Sequence, residues 1–303
     1  MAKVADKVSG IADIVSGSQD KDGMLRRALE RIIQLYTDKS HFIYELLQNA
    51  EDAGASRIKF EQYADKLIVL HDGHPFSLDN LKGLCDIGKS DKTNDLNQIG
   101  EFGVGFKSVF GICESVKLFS HPTRKDLDKG YSRFAVEILN FTHPVDIEDE
   151  DIALGYTTKF IFPYSVGFTF SSFQAVDQLN EVLSKRLQNL GITTLLFMKN
   201  LKSIDYMIDL PNLKTSGYYT LDKTVINDHC ALVSAIGETG SKKDNEERVS
   251  YLVFSRPVTG IQTGRTIDIA FALNVKEDGK YDFKPSKYPY ISVYFPTETE
   301  SKL

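Results

Sequence analysis

Three short stretches of this sequence carry residues whose types and spacing can do chemistry. In the first, Glu45, Asn49 and Asp52 stand at i, i+4 and i+7, so a helix would point all three the same way. Two carboxylates and an amide in one stripe suit oxygen coordination of a hard cation such as Mg²⁺, with one carboxylate left to orient water. A solvated polar helix face has the same composition. In the second stretch, KLIVLH (Lys66–His71) runs into Asp72-Gly73. A carboxylate at a strand end, followed by glycine, either reaches into a pocket as an acceptor or closes a turn. The third stretch is GEFGVGFKSVF, Gly100–Phe110. Gly100, Gly103 and Gly105 allow close backbone approach and positive φ. A helix opening straight after them would aim free N–H groups and a positive dipole end at an anion, and the natural anion is a phosphate. This is not a Walker A loop: Phe106 holds the lysine position, Lys107 comes one residue late, and the preceding Asn94–Gln98 is polar rather than a buried strand. A glycine-rich turn that merely packs a helix closely would read the same way.

The elements that must position these residues follow from periodicity. Met24–Tyr36 reads as an amphipathic helix on Leu25, Ala28, Leu29, Ile32 and Ile33. A second helix spans Ser40 to about Ala53, with Ile43, Leu46, Leu47 and Ala50 inward and Gly54 at its C′ position. Arg57–Tyr63 and Lys66–His71 form a hairpin across Ala64-Asp65. Ser77 caps a short helix, Leu78–Cys85. Gly88–Gln98 reads as a polar loop of the kind that closes over a ligand. Val116–Ser120 and Tyr131–Leu139 read as strands around a basic turn at Thr123–Lys125, followed by an acidic loop, Asp146–Asp151. In the next strand, Thr157–Pro163, Lys159, Ile161 and Pro163 share one face and Phe160 and Phe162 the other. Phe173–Leu190 reads as a helix. Seven strands follow: Thr193–Met198, Ser203–Asp209, Gly217–Asp222, Ala231–Ile236, Val249–Ser255, Thr266–Leu273 and Tyr290–Phe295. The change of pattern places a domain boundary near 168, giving an α+β domain over 1–168 and a β-rich α+β domain over 169–303.

Composition narrows the function classes. The chain has 303 residues, 42% hydrophobic and 26% charged, which is a soluble globular composition long enough for two domains. A net charge of -6 gives no strong nucleic-acid signal. Cys85, Cys113 and Cys230 are far apart, with no C-x-x-C pair, so they read as buried thiols in a reducing compartment. No apolar run approaches the roughly 18 residues of a membrane helix, and the N-terminus lacks a signal-peptide core, so a cytoplasmic, non-membrane protein is expected. The sequence stops directly after a strand, in PTETESKL, and is expected to continue in a longer protein.

The order of the motifs is more specific than any one of them. ELLQNAEDAGA (Glu45–Ala55), IGKSDK (Ile87–Lys92), IGEFGVGFKSVF (Ile99–Phe110) and a strand opening Thr157-Thr158 together resemble the Bergerat-fold, or GHKL, ATPases. Within them the wording is similar to the chaperone-like branch and its sacsin-type ATP-binding repeats, over about residues 25–165. The resemblance implies a two-layer sandwich, a mixed sheet covered by helices, that binds ATP and Mg²⁺ and hydrolyses ATP slowly. Glu45 then matches the general base and Asn49 the Mg²⁺ ligand, with Asp52 near the nucleotide. Asp72, with Gly73 beside it, matches the acceptor for the adenine amino group. Gly100, Gly103, Val104 and Gly105, continuing into Phe106, match the phosphate cradle, and Thr158 matches the threonine behind the adenine.

Departures from the pattern are visible. The second box is Asp72-Gly73-His74-Pro75-Phe76, where D-x-G-x-G is usual. Lys107 stands where an aromatic residue is common, and either meets phosphate or faces solvent; Lys89 in the loop is a similar candidate. The family's clamp motion implies a nucleotide-dependent homodimer and a protein client, and the β-rich region would then be a truncated middle, or transducer-like, domain. The function implied is an ATP-driven conformational switch in a larger chaperone-like or defence-related protein. The alternative is a non-catalytic nucleotide-binding or interaction module. A histidine kinase fits poorly, because His41 shares a helix with Glu45 and no separate phosphoacceptor helix precedes it.

Overall fold

The computed structural model describes residues 38–85, 105–168, 171–240, 246–257, 266–276, 280–284, 290–293 and 295–300. The expected helix at Met24–Tyr36, the polar loop, and Lys89, Gly100, Gly103 and Val104 lie outside these residues. The chain divides into two units between Arg186 and Leu187, with Met207–Lys214 returning to the first.

The first unit begins with α1 (Phe42–Asp52), the hairpin β1 (Arg57–Tyr63) and β2 (Lys66–His71), and α2 (Leu78–Cys85). A short 3-10 helix, Phe106–Gly111, leads into β3 (Ser115–Ser120). Then come α3 (Arg124–Leu127), β4 (Phe134–Leu139), β5 (His143–Asp146), β6 (Thr158–Pro163) and α4 (Val176–Gln188). The strands lie in the order β1-β2-β6-β3-β4-β5, and each ladder between them is antiparallel.

Register decides which side chains meet, because cross-strand partners project from the same face. Leu67 opposes Phe162, Val69 opposes Phe160, and His71 opposes Thr158. Phe160 and Thr158 in turn oppose Leu118 and Ser120. Phe60, Leu67, Val69, Leu118, Phe160 and Phe162 therefore form one apolar face, all at least 95% buried. Burying each such side chain contributes about 1.5–3 kcal/mol relative to leaving it exposed. The 3-10 helix and α4 each touch this face. The Phe106 ring sits 5.5 Å from Phe160 and 6.2 Å from Phe162. α4 is tied to β1 by buried polar bonds: Gln62 Nε2 donates to the Asn180 carbonyl at 3.0 Å, and Ser184 Oγ donates to Gln62 Oε1 at 3.0 Å. The opposite face carries Lys59, Glu61, Lys117 and Lys159 around a small cluster of Phe119, Ala135 and Ile161, packed by Ile147 and Ile152.

The tie between α4 and β1 explains why the division falls at 186 rather than the expected 168: α4 belongs with the first sheet. The expected Tyr131–Leu139 strand starts only at Phe134. The basic turn is α3, closed by a capping box in which Thr123 and Asp126 satisfy each other's backbone N–H groups.

In the second unit, a 3-10 helix at Ile192–Leu195 replaces the expected strand at Thr193–Met198. Gly191 enters at φ 81°, and Thr194 Oγ1 donates back to the Leu190 carbonyl at 2.5 Å, which curls a run that composition alone reads as extended. β7 (Ser203–Leu210) and β8 (Leu213–Asn227) follow, their junction being the returning segment. β8 continues into an antiparallel meander with β9 (Cys230–Thr239), β10 (Glu246–Pro257), β11 (Thr266–Val275) and β12 (Tyr281–Phe283). β13 (Tyr290–Val293) and β14 (Phe295–Glu300) pair as a separate hairpin. Buried Tyr219 donates to the carbonyls of Leu187 and Gln188, at 3.1 and 2.7 Å, fixing the start of this unit against β8.

Candidate functional site

α1 is the element that positions the expected chemistry. Phe42, Ile43, Leu46, Leu47 and Ala50 are 97% or more buried, so the Glu45–Asn49–Asp52 stripe faces away from the core. The helix ends in a complete Schellman motif: Gly54 N donates to Glu51 O and Ala55 N to Ala50 O, both at 2.9 Å, with Gly54 at φ 68°. Its start is clasped by Arg186 of α4, whose Nε donates to Ser40 Oγ at 2.7 Å and whose Nη1 donates to Tyr44 OH at 3.2 Å. Arg186 also pairs with Asp38. Burial opposes ionisation of Asp38, but the bonds from Ser40 and the Arg186 charge outweigh it and hold the carboxyl below its ordinary range. One turn on, His41 Nε2 lies 3.4 Å from Glu45 Oε1.

The decisive contact joins Glu45 to Gly105. A Cβ added at Gly105 would coincide with the Glu45 carboxylate. Residues sixty positions apart thus touch, and a larger residue at 105 would push the end of the Glu45 side chain aside. Gly105 has φ -63°, so what it supplies is room and not a left-handed turn. The element after it is a six-residue 3-10 helix, not the expected α-helix. Asn49 lies half-buried on the same stripe, and its amide makes no side-chain hydrogen bond among the described residues. Asp52 is exposed on the last turn, with its pKa raised by partial desolvation and by neighbouring Glu51.

Four residues stand differently from expectation. The Asp72 carboxylate does not turn inward. It accepts Ser56 N at 2.8 Å, Ser56 Oγ at 2.5 Å and Arg57 N at 2.9 Å, which organises the entry to β1. Alternation along β2 leaves the residue before it, His71, on the inner face. Lys107 neither meets phosphate nor faces solvent: its side chain is buried, and its ammonium donates to the carbonyls of Leu84, at the end of α2, and of Phe141, the latter at 2.7 Å. The Phe106 ring is core. Gly73 is needed for packing, since a Cβ there would lie 2.7 Å from Ala53 O and 2.9 Å from Ala55 N at the end of α1.

At the other end of α1, His71 and Thr158 sit side by side on the covered face. Thr158 is fully buried and its hydroxyl has no hydrogen-bond partner among the described residues. Its neighbours are satisfied: Thr157 Oγ1 donates to Gly73 O at 2.6 Å and Ser120 Oγ to Phe76 O at 2.9 Å. An orphaned hydroxyl in a packed interior is costly. His71 is 5% exposed, and burial pushes its pKa down to about 4. Sequence reading missed His71, although period-2 alternation with Leu67 and Val69 points it inward. Among the described residues, no cluster of three or more His, Cys, Asp or Glu could hold a metal, so a cation here would need ligand oxygens besides Asn49 and Glu45. No helix among them is long and apolar enough to cross a membrane. Cys85 and Cys113 are buried, and burial raises the Cys113 thiol pKa strongly, with Glu114 adding to it; Cys230 is half-buried.

Residues 23–128, which hold α1, the end of β2 and Gly105, match the model of the Sacsin domain family. Over 288 residues, 87% of this chain, the sequence is 26% identical to the Protein NO VEIN of Arabidopsis thaliana. Over 109 residues, 30% of the chain, it is 32% identical to the Sacsin of Homo sapiens. The chain spans 10% of the length of the first and 2% of the second. A sacsin-like relationship is thereby supported, and it is carried by the stretch that builds the Glu45–Gly105 contact.

Proposed function

We propose that the first unit binds ATP with Mg²⁺ in a Bergerat-type site and hydrolyses it slowly, as a conformational switch within a larger chaperone-like protein. The observation that carries this reading is the Glu45 carboxylate lying against Gly105, at the junction between the acidic helix and the glycine segment. The orphaned Thr158 hydroxyl supports it from the other end of α1. Asn49 would hold the cation, which, when bound, supplies charge neutralisation of the phosphates. Glu45 would take a hydrogen bond from the attacking water and orient it. His41, one helical turn before Glu45, helps hold that carboxylate in place. The buried faces of Phe106 and Phe160 would exclude water from the base end.

The test is hydrolysis by the intact chain and by Glu45→Ala. Loss of the general base is expected to lower turnover by about 10²–10⁴-fold while ATP still binds. Equal turnover in the two proteins would remove Glu45 from the mechanism.

A further inference from the structure

Glu45 stands in the first turn of α1, and the helix does not cap itself there. Its N-cap residue, His41, has helical φ and ψ (-57° and -30°) and makes no capping side-chain bond. A helix end without a side-chain cap frays readily. What holds this turn comes from α4. Arg186 Nε donates to Ser40 Oγ at 2.7 Å, Nη1 to Tyr44 OH at 3.2 Å, and Nη2 to the Asp38 carboxylate. Ser40 Oγ and Ser40 N in turn donate to Asp38 Oδ1, at 2.7 and 2.9 Å, so guanidinium, hydroxyl and carboxylate close a ring. The guanidinium also lies over the Tyr44 ring, 5.3 Å from its centroid. A planar fork reaches three acceptors while stacking on an aromatic face, which a lysine ammonium, a point charge, does not.

Ser40 and Tyr44 lie five residues and one residue before Glu45. Fixing them fixes the backbone from which the Glu45 side chain extends, while the carboxylate at its far end rests against Gly105. Resting on the nucleotide-site reading above, we propose that Arg186 is a positioning residue for hydrolysis: by clasping Asp38, Ser40 and Tyr44 it holds the first turn of α1 so that the Glu45 carboxylate stays at the glycine segment, aimed at the attacking water. A shift of that turn by about an ångström would cost up to about a hundredfold in rate. Asn49 stands one turn further on, towards the Schellman end that Gly54 and Ala55 fix by their own bonds, so nucleotide binding is expected to survive loss of the clasp.

The experiment measures ATP hydrolysis, and ATP binding by calorimetry with Mg²⁺, on the intact chain and on Arg186→Met and Arg186→Lys, each shown to be folded by circular dichroism. Arg186→Met is expected to bind ATP with unchanged stoichiometry and within about threefold of the wild-type affinity, yet to turn over about ten- to a hundredfold more slowly. Arg186→Lys keeps the charge without the fork and is expected to be slowed in the same way. A merely structural role would instead reduce the fraction of chains that bind, with turnover falling in step. Should Arg186→Met not fold, Tyr44→Phe decides: it removes one hydroxyl and keeps the ring under the guanidinium, and it is expected to lower turnover by about threefold at unchanged affinity. A folded Arg186→Met with wild-type turnover, turnover that falls only with the binding fraction, or a Tyr44→Phe as active as the wild type would overturn this inference and leave the ATPase reading standing. A wild type that binds no ATP, or binds it without hydrolysis, would overturn both.

Discussion

At the scale of single residues, the site is built from tight fits, and each makes a prediction. Gly105 abuts the Glu45 carboxylate with no room for a methyl group. Gly105→Ala is expected to swing the end of the flexible Glu45 side chain aside, moving the carboxylate with little loss of stability in denaturant unfolding. Turnover is expected to fall as the carboxylate moves. Full activity in that variant would mean that the contact does not position Glu45. Asp72 gathers three hydrogen bonds at the entry to β1, and Asp72→Ala is expected to cost about 1–3 kcal/mol of stability while ATP affinity stays within a few-fold. A folded variant that loses adenine binding would restore Asp72 to the base site. His71 sets a pH dependence whose sign is fixed by its depressed pKa. Between its ordinary 6.5 and about 4, the unfolded chain takes up a proton that the folded chain refuses, so stability is lost as pH falls through that window. The full difference amounts to about 3 kcal/mol. Thermal unfolding across pH 7 to 4 should show the drop, and His71→Gln should flatten it.

At the scale of elements, the parts governed by local chemistry were legible in the sequence and the parts governed by tertiary contact were not. The inward stripe of α1, its Gly54 ending, the β1–β2 hairpin and the Ser77 cap, which exchanges bonds with Asn80, all appear where periodicity and capping place them. Gly54 at φ 68° sits where an L side chain is strained, and Gly54→Ala is expected to destabilise by about 1–2 kcal/mol in chemical denaturation. The 3-10 turn at Ile192–Leu195 was not legible, because TTLLFM has the composition of a strand, and only the Thr194 back-bond and its buried setting curl it. Of the candidate residues, Glu45 and Gly105 lie against one another and Thr158 is buried with an unpartnered hydroxyl among the described residues. For Asp72 both readings stayed open in the sequence, because no composition rule tells whether a strand-end carboxylate turns into the sheet face or back to the strand beside it, and its bonds to Ser56 and Arg57 are tertiary. Lys107 was misread for a related reason: its cation is held by carbonyls 23 and 34 residues away.

At the scale of the whole molecule, the first unit depends on chain well beyond the glycine segment. α4 supplies Asn180 and Ser184 to the buried Gln62 amide, and Arg186 to the clasp on α1. A fragment ending at 168 would leave Gln62 buried without these partners, and it is expected to lack a cooperative unfolding transition by circular dichroism, whereas the 303-residue chain is expected to show one. The region seen as similar to Sacsin is the part that carries the acidic helix and the glycine segment, and what the far larger relatives do with it belongs to chain that this sequence does not span.

The measurement that bears most directly on the central claim is a calorimetric titration of the intact chain with ATP, with and without Mg²⁺. The nucleotide-site reading predicts saturable binding that Mg²⁺ strengthens, retained in Glu45→Ala and weakened in Asn49→Ala. No heat at any temperature tried, together with no binding in a direct equilibrium assay, would contradict it and leave the Glu45–Gly105 contact as packing alone.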